Sequence, residues 1–342
     1  MADKYIVSAA PHFRKKEESV SRIMWTVNIA LVPAALMSVV IFGYSSLWVM
    51  LTAVAATLAT EAVIQRGPAR RRRASPRVTV TSARGLGTSS AARSSVADGS
   101  AFMTGLLLAF NLPANVPLWI PFVGGVFAIA IAKQAFGGLG RNIFNPALAS
   151  RAFLMAAWPQ HMTAYMKPFA VDAVTQATPL MLLKEGKAAG IADMGLTYKD
   201  MLLGFRGGCL GEVCALALLL GGLYLLIRGI ITWHTPVSFI AAAAVFGWAL
   251  GSPDGYFKGD IVFQILSGGL LLGALFMATD YVTSPITKKG QVVFGVCCGL
   301  LTGVIRRWGG YPEGVCYSIL FMNTAVPLID RFMQPRRYGV TR

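Results

Sequence analysis

The stretch Val171-Asp172-Ala173-Val174-Thr175-Gln176-Ala177-Thr178-Pro179-Leu180 gathers two threonine hydroxyls and a carboxylate in a segment without helical periodicity. A hydroxyl is what a phosphoester linkage needs, and Pro179 pushes Thr178 out of the helical region and toward an exposed, extended conformation. The same residues fit a plainer role. An Asp/Thr turn would cap a helix starting at Leu180, with Pro179 in its first turn. Residue types alone leave both readings open.

Other reactive side chains are sparse. Cys209, Cys214, Cys297, Cys298 and Cys316 form no CxxC pair, and His12, His161 and His234 are scattered. That pattern argues against a protein-held zinc or iron–sulfur centre. Gly137-Gly138-Leu139-Gly140 lacks the GxGxxG spacing and a preceding strand, so it reads as a tight turn and not a dinucleotide loop. Three acids fall at helix ends. Glu61 is expected to pair with Arg66 at the interface, and Asp98 to cap the third apolar segment. Asp280 sits at a dipole-unfavoured helix end and needs Lys288 or a cation beside it.

The elements that carry these residues are membrane spans. Of 342 residues, 55% are hydrophobic and 13% charged, about half the charged fraction of soluble domains. Mean hydropathy is +0.59. The net charge of +16 would suit nucleic acid, but the bases sit between apolar runs, where they act as topology signals. No nucleic acid is expected as a partner. An all-α polytopic membrane protein follows, with ten spans near 23–43, 47–64, 99–113, 116–135, 146–158, 211–231, 236–251, 261–280, 291–306 and 314–330.

With both termini inside, 23 of the 31 bases fall on inner segments or helix ends and 8 on outer ones. This satisfies the positive-inside rule. Residues 1–22 and 333–342 are then cytoplasmic tails. The long connection 65–98 lies inside, and 159–205 lies outside. The second connection divides the chain into five-helix halves, 23–158 and 206–332, which an odd span count would invert relative to each other. Thr104-Gly105-Leu106 echoes Ser267-Gly268-Gly269, weakly. Breakers at Asn111-Leu112-Pro113 and Asn145-Pro146 predict two short helices, with an ion or cofactor pocket or a simple tilt as the alternatives.

The Asp172–Leu180 stretch resembles the flavinylation motif D-x-x-(S/T)-G-A-T of the Rnf and sodium-pumping NADH:quinone reductase complexes. Asp98-Gly99-Ser100-Ala101 with Thr104-Gly105-Leu106 is similar to the RnfD/NqrB family, the RnfD side of it in particular, from the Rnf ion-translocating electron-transport complex. So are Gly137-Gly138-Leu139-Gly140 with Asn145-Pro146-Ala147, Pro327-Leu328-Ile329-Asp330, and Arg336-Arg337-Tyr338-Gly339. The resemblance runs from about residue 20 to 339. It implies FMN joined through its phosphate to Thr178, with Asp172, Thr175 and Ala177 as the motif positions that a flavin transferase recognises.

The resemblance also implies a bacterial inner-membrane complex that moves electrons between ferredoxin and NAD, coupled to Na⁺ or H⁺ transport. Partners would be RnfA, RnfB, RnfC, RnfE and RnfG, with electrons exchanged with the flavin of RnfG near the outer, periplasmic face. A second, non-covalent flavin is sometimes present in the family. Two departures stand out. Gln176 replaces the motif glycine and removes a φ > 0 option. Gly67–Ser95 is unusually rich in arginine, and no function is inferred for it. The spans alone fit equally a solute transporter or channel, or a membrane scaffold, neither of which would carry flavin.

Overall fold

Backbone groups in hydrocarbon must be satisfied within the chain, so apolar runs of this length fold as helices. A computed structural model describes residues 5–7, 13–15, 19–66, 98–169, 176–187, 191–251 and 255–333. Most of the 65–98 connection, Asp172 and Thr175 of the motif, most of the N-terminal tail and the tail from 334 lie outside the described residues. Apart from a short antiparallel hairpin, β1 (Tyr5–Val7) with β2 (Phe13–Lys15), the described elements are helical.

Helix α1 (Val20–Phe42) starts at Ser19, whose side chain accepts the Arg22 N–H at 3.2 Å, and stops at Gly43, where φ is +68°. Helix α2 (Tyr44–Arg66) follows directly. Then come α3 (Ser100–Phe110), α4 (Trp119–Phe127) with a π-helical extension Ala128–Gln134, and α5 (Pro146–Ala157). The 159–205 connection holds three short helices, α6 (Pro159–Thr163), α7 (Pro179–Lys184) and α8 (Tyr198–Leu203).

The second half contains α9 (Ala215–Ile227), α10 (His234–Leu250), α11 (Ile261–Leu266) and α12 (Leu270–Leu272), which continues as a π-helix over Gly273–Met277. It closes with α13 (Lys288–Trp308) and α14 (Val315–Phe332). Among the described residues, α1, α2 and α13 are long and apolar enough to cross a membrane by length and composition. Each of the other expected spans coincides with a shorter helix or a broken one. The expected span 261–280 is interrupted at Ser267-Gly268-Gly269, and the 11 residues of α3 cover only about 16 Å.

Packing depends on close backbone approach. On α13, Gly295, Gly299 and Gly303 face α10. A Cβ on Gly299 would stand 2.5 Å from the Ala242 Cβ and 2.6 Å from the Ala243 nitrogen. This four-residue spacing of small residues is how apolar helices associate in lipid, where no hydrophobic drive separates helix from solvent. Gly125 of α4 meets Ala53, Ala56 and Thr57 of α2 in the same way, and Gly221 of α9 lies on the Ala30 carbonyl of α1. Helix α2 packs on α3 and α4, α10 on α11 and α13, and α5 on α14.

Burial corrects several expectations. Glu61 is fully buried and pairs with Lys133 of the π-helical segment at 2.8 Å, where an interfacial pairing with Arg66 was expected. Asp98 does not cap α3; Gly99 holds that position at φ +77° with no side-chain cap. Asp280 accepts from the Val282 N–H at 3.4 Å and the Thr283 hydroxyl at 3.2 Å, so its own turn satisfies it. Lys133, Arg151, Arg206 and Arg306 are buried and do not act as topology signals. Without them the expected topology would assign 21 bases to inner segments and 6 to outer ones.

Candidate functional site

Thr178 is the N-cap of α7. Its φ of −70° and ψ of 153° are extended, its Oγ1 accepts the Met181 N–H at 3.3 Å, and Pro179 occupies the first turn. The capping role therefore holds. The expected exposure does not: Thr178 is 5% exposed. Leu180 packs with Met201 and Phe263, Gln176 donates its N–H to the Tyr165 carbonyl at 2.8 Å, and Gly207 lies beneath the Gln176 and Ala177 carbonyls. Lys184 closes the helix by donating to the Tyr311 carbonyl at 3.1 Å and to the Gly309 carbonyl. Partial burial pulls its pKa below the ordinary lysine value.

Among the described residues, Thr178 Oγ1 acts only as an acceptor. Replacing its hydrogen by phosphorus would sacrifice no donated hydrogen bond, so the geometry is compatible with esterification. Its burial adds a condition. Any reaction at this hydroxyl would need the leading turn of α7 to open, or would have to precede the packing of α7.

Beneath α7 lies a polar centre that sequence reasoning missed. Arg151, one and a half turns into α5, donates to Asn111 Oδ1 at 2.8 Å and forms an ion pair with Glu313, 162 residues away. Tyr165 Oη donates to the other Glu313 oxygen at 3.4 Å. Arg306 donates to the Gln264 and Ser267 carbonyls at 2.8 and 3.0 Å, which are the orphan acceptors at the end of α11. The loop before α9 does the same for α3: Leu210 N–H meets the Leu112 carbonyl at 3.0 Å and Gly211 N–H meets Phe110 at 2.9 Å.

The broken ends converge. Asn145 caps α5 through contacts of 3.1 and 3.4 Å to the Ala147 and Leu148 N–H groups. Its Nδ2 donates to the last π-helical carbonyl, Met277, at 3.3 Å. A cavity of about 60 Å³ lies between α3 and the start of α5, lined by Thr104, Leu107, Asn145, Pro146 and Asp280. A pocket between these two short helices is one of the two alternatives that the sequence leaves open. Gly137, Gly138 and Gly140 all have positive φ, as a tight turn requires. Cys209 and Cys214 are buried free thiols.

Comparison with known proteins matches this sequence to a family. The NQR2, RnfD, RnfE family model covers residues 6–339. The chain is 47% identical over 338 residues to the D-type subunit of the Na⁺-translocating ferredoxin:NAD⁺ oxidoreductase complex of Acetobacterium woodii, covering 98% of this chain and 96% of that one. It is 46% identical over 344 residues to the proton-translocating counterpart of Clostridium ljungdahlii, covering 99% and 97%. The D-type subunit of the ion-translocating oxidoreductase complex of Stutzerimonas stutzeri is 37% identical over 351 residues, covering 94% and 92%. With a match running almost from end to end, this multi-pass membrane protein belongs to the NQR2, RnfD, RnfE family.

Proposed function

We propose that the chain is the RnfD-type membrane subunit of an ion-translocating ferredoxin:NAD⁺ oxidoreductase, with FMN esterified through its phosphate to Thr178. Its near full-length likeness to subunits with that name carries the reading of the complex. RnfA, RnfB, RnfC, RnfE and RnfG follow as partners, with RnfG exchanging electrons near the outer face, and a flavin transferase as the modifying enzyme. A second, non-covalent flavin belongs to the same reading, with no residues assigned to it.

For the flavin, the supporting observation is a single hydroxyl, Thr178, that ends the motif and donates no hydrogen bond among the described residues. The bound flavin would supply electron transfer. This chain would anchor it, and Ala177 and Thr178 would present the attachment loop against Gly207 and α8. Ten crossings in two inverted halves complete the proposal. Three packing features support it. Helix α2 meets α3 and α4 as α10 meets α11 and α13, α1 meets α9, and α5 meets α14. A buried base from the fourth helix of each half, Lys133 or Arg306, contacts the third, at Ser100 or Gln264.

Ultraviolet in-gel fluorescence of the denatured chain, made together with its transferase, tests the attachment. Wild type should fluoresce and Thr178→Ala should be dark. Thr178→Asn separates the two roles, because asparagine can cap α7 but cannot form the ester. It should be dark and as stable as wild type. Fluorescence in either variant would place the flavin elsewhere.

A further inference from the structure

Glu212 lies just ahead of α9, and Glu313 just ahead of α14. Together with Cys209 they are buried, and one ligand atom from each falls within 4.8 Å of the others. Glu212 Oε1 accepts the Cys209 N–H at 2.9 Å, whereas its Oε2 accepts no hydrogen bond although it is buried. That oxygen faces Gly269: a Cβ there would lie 3.2 Å from it and 4.0 Å from Arg151 Nη1. A buried carboxylate oxygen without a donor is costly, and natural structures keep few of them without a purpose.

A protein cation already sits in this cluster. The Arg151 guanidinium contacts Glu313 Oε2, Asn111 Oδ1 at 2.8 Å and Cys209 Sγ at 3.7 Å. Arg151 also borders a cavity of about 180 Å³ lined by Thr163, Tyr165, Met181, Tyr311 and Tyr317. Tyr311 and Tyr317 stack with their centroids 5.4 Å apart. Tyrosine ring faces attract a guanidinium, so the cavity offers the arginine a second place to rest.

We propose that Glu212, Glu313 and Asn111 form a binding site for a small, desolvated monovalent cation of sodium's class, and that Arg151 fills this site in the ion's absence. The three side chains offer hard oxygen ligands, which suit sodium and disfavour thiophilic metals. When the ion enters, the guanidinium swings into the tyrosine-lined cavity. One positive charge replaces another between the carboxylates, so neither is left uncompensated in the protein interior. The inference stands on this cluster and is independent of whether Thr178 carries flavin.

Perfusion-induced difference infrared spectroscopy on the intact purified complex tests it, with sodium chloride exchanged for choline chloride at constant ionic strength. A sodium-dependent carboxylate band is expected in wild type and is lost in Glu212→Gln and in Glu313→Gln. Removing the resident competitor in Arg151→Gln should shift the sodium midpoint about tenfold lower, as when a site nine-tenths blocked is freed. Where Arg151→Gln fails to assemble, Arg151→Met, which also removes the resident charge, carries the test, and its midpoint should also fall. Four outcomes overturn the proposal: no sodium band in wild type, a band that follows pH and not sodium, a band that survives both glutamine variants, or a midpoint that rises or stays fixed when Arg151 is changed.

Discussion

Replacing Lys133 by methionine removes one partner of a buried ion pair and leaves the other in place. Lys133 Nζ donates to Glu61 Oε2 at 2.8 Å and to Ser100 Oγ at 2.9 Å, and neither charged residue reaches solvent. Deleting one member of such a pair costs about 3–5 kcal/mol. Two features pull the expected value toward the lower end. Glu61 Oε1 keeps the Gln134 and Gln65 amide donors at 2.9 and 3.1 Å. A stranded carboxylate can also take up a proton, which at pH 7 costs about 4 kcal/mol for a glutamate of ordinary acidity and so caps the penalty. At pH 5 the same cap falls to about 1 kcal/mol. Lys133→Met should therefore lose about 3–4 kcal/mol at pH 7 and recover most of it at pH 5, read by reversible unfolding in mixed micelles. The double variant Glu61→Leu/Lys133→Met should lie within about 1 kcal/mol of wild type, because no unpaired charge remains. A single variant as stable as wild type at pH 7, or a double variant as unstable as the single one, would refute the reasoning.

Four further outcomes are expected. Gly299→Leu drives a side chain into the α10 backbone and should cost about 3 kcal/mol or more in the same unfolding assay. Gly310→Ala, with open space around the new methyl, should change stability by less than about 0.5 kcal/mol. Hydrogen bonds from the Thr197 side chain and backbone hold the Asp200 carboxyl below the ordinary carboxylate range. Ionised Asp200 thus supports α8 above the unfolded carboxylate value, and the support disappears as pH falls through the lower folded value. Protection of the amides in Tyr198–Leu203, relative to their intrinsic exchange rate, should fall below about pH 4, and Asp200→Asn should abolish that dependence. Lys187→Cys, exposed on the connection that the proposed topology puts outside, should react with an impermeant maleimide in intact cells, over the low background of mostly buried native thiols. Labelling only after the membrane is opened would reverse the topology.

The chain disclosed its local punctuation and concealed its long-range pairings. Asn145-Pro146 carries a helix start in two residues, a capping side chain followed by a ring that needs no N–H donor, and the structure places α5 there. Gly137-Gly138 signals a turn through backbone freedom alone. Arg151 reads as an inner-surface base because nothing nearby in sequence neutralises it, and its partner Glu313 arrives from the other half of the chain. The break at Ser267-Gly268-Gly269 is hidden by the leucines after it, which read as an unbroken apolar run. Only the faint echo of Thr104-Gly105 marks the place. Thr178 shows both sides. Its cap is legible from Thr-Pro, but its burial goes with contacts of its neighbours, Ala177 near Gly207 and Leu180 near Phe263, which no local pattern announces.

The mass of the proteolytic peptide containing Thr178, taken from chain produced with its transferase, bears most directly on the flavin. Fragmentation should place one FMN phosphoryl group on Thr178 and none on Thr175. Recovery of that peptide unmodified, or of flavin on any other residue, would contradict the assignment.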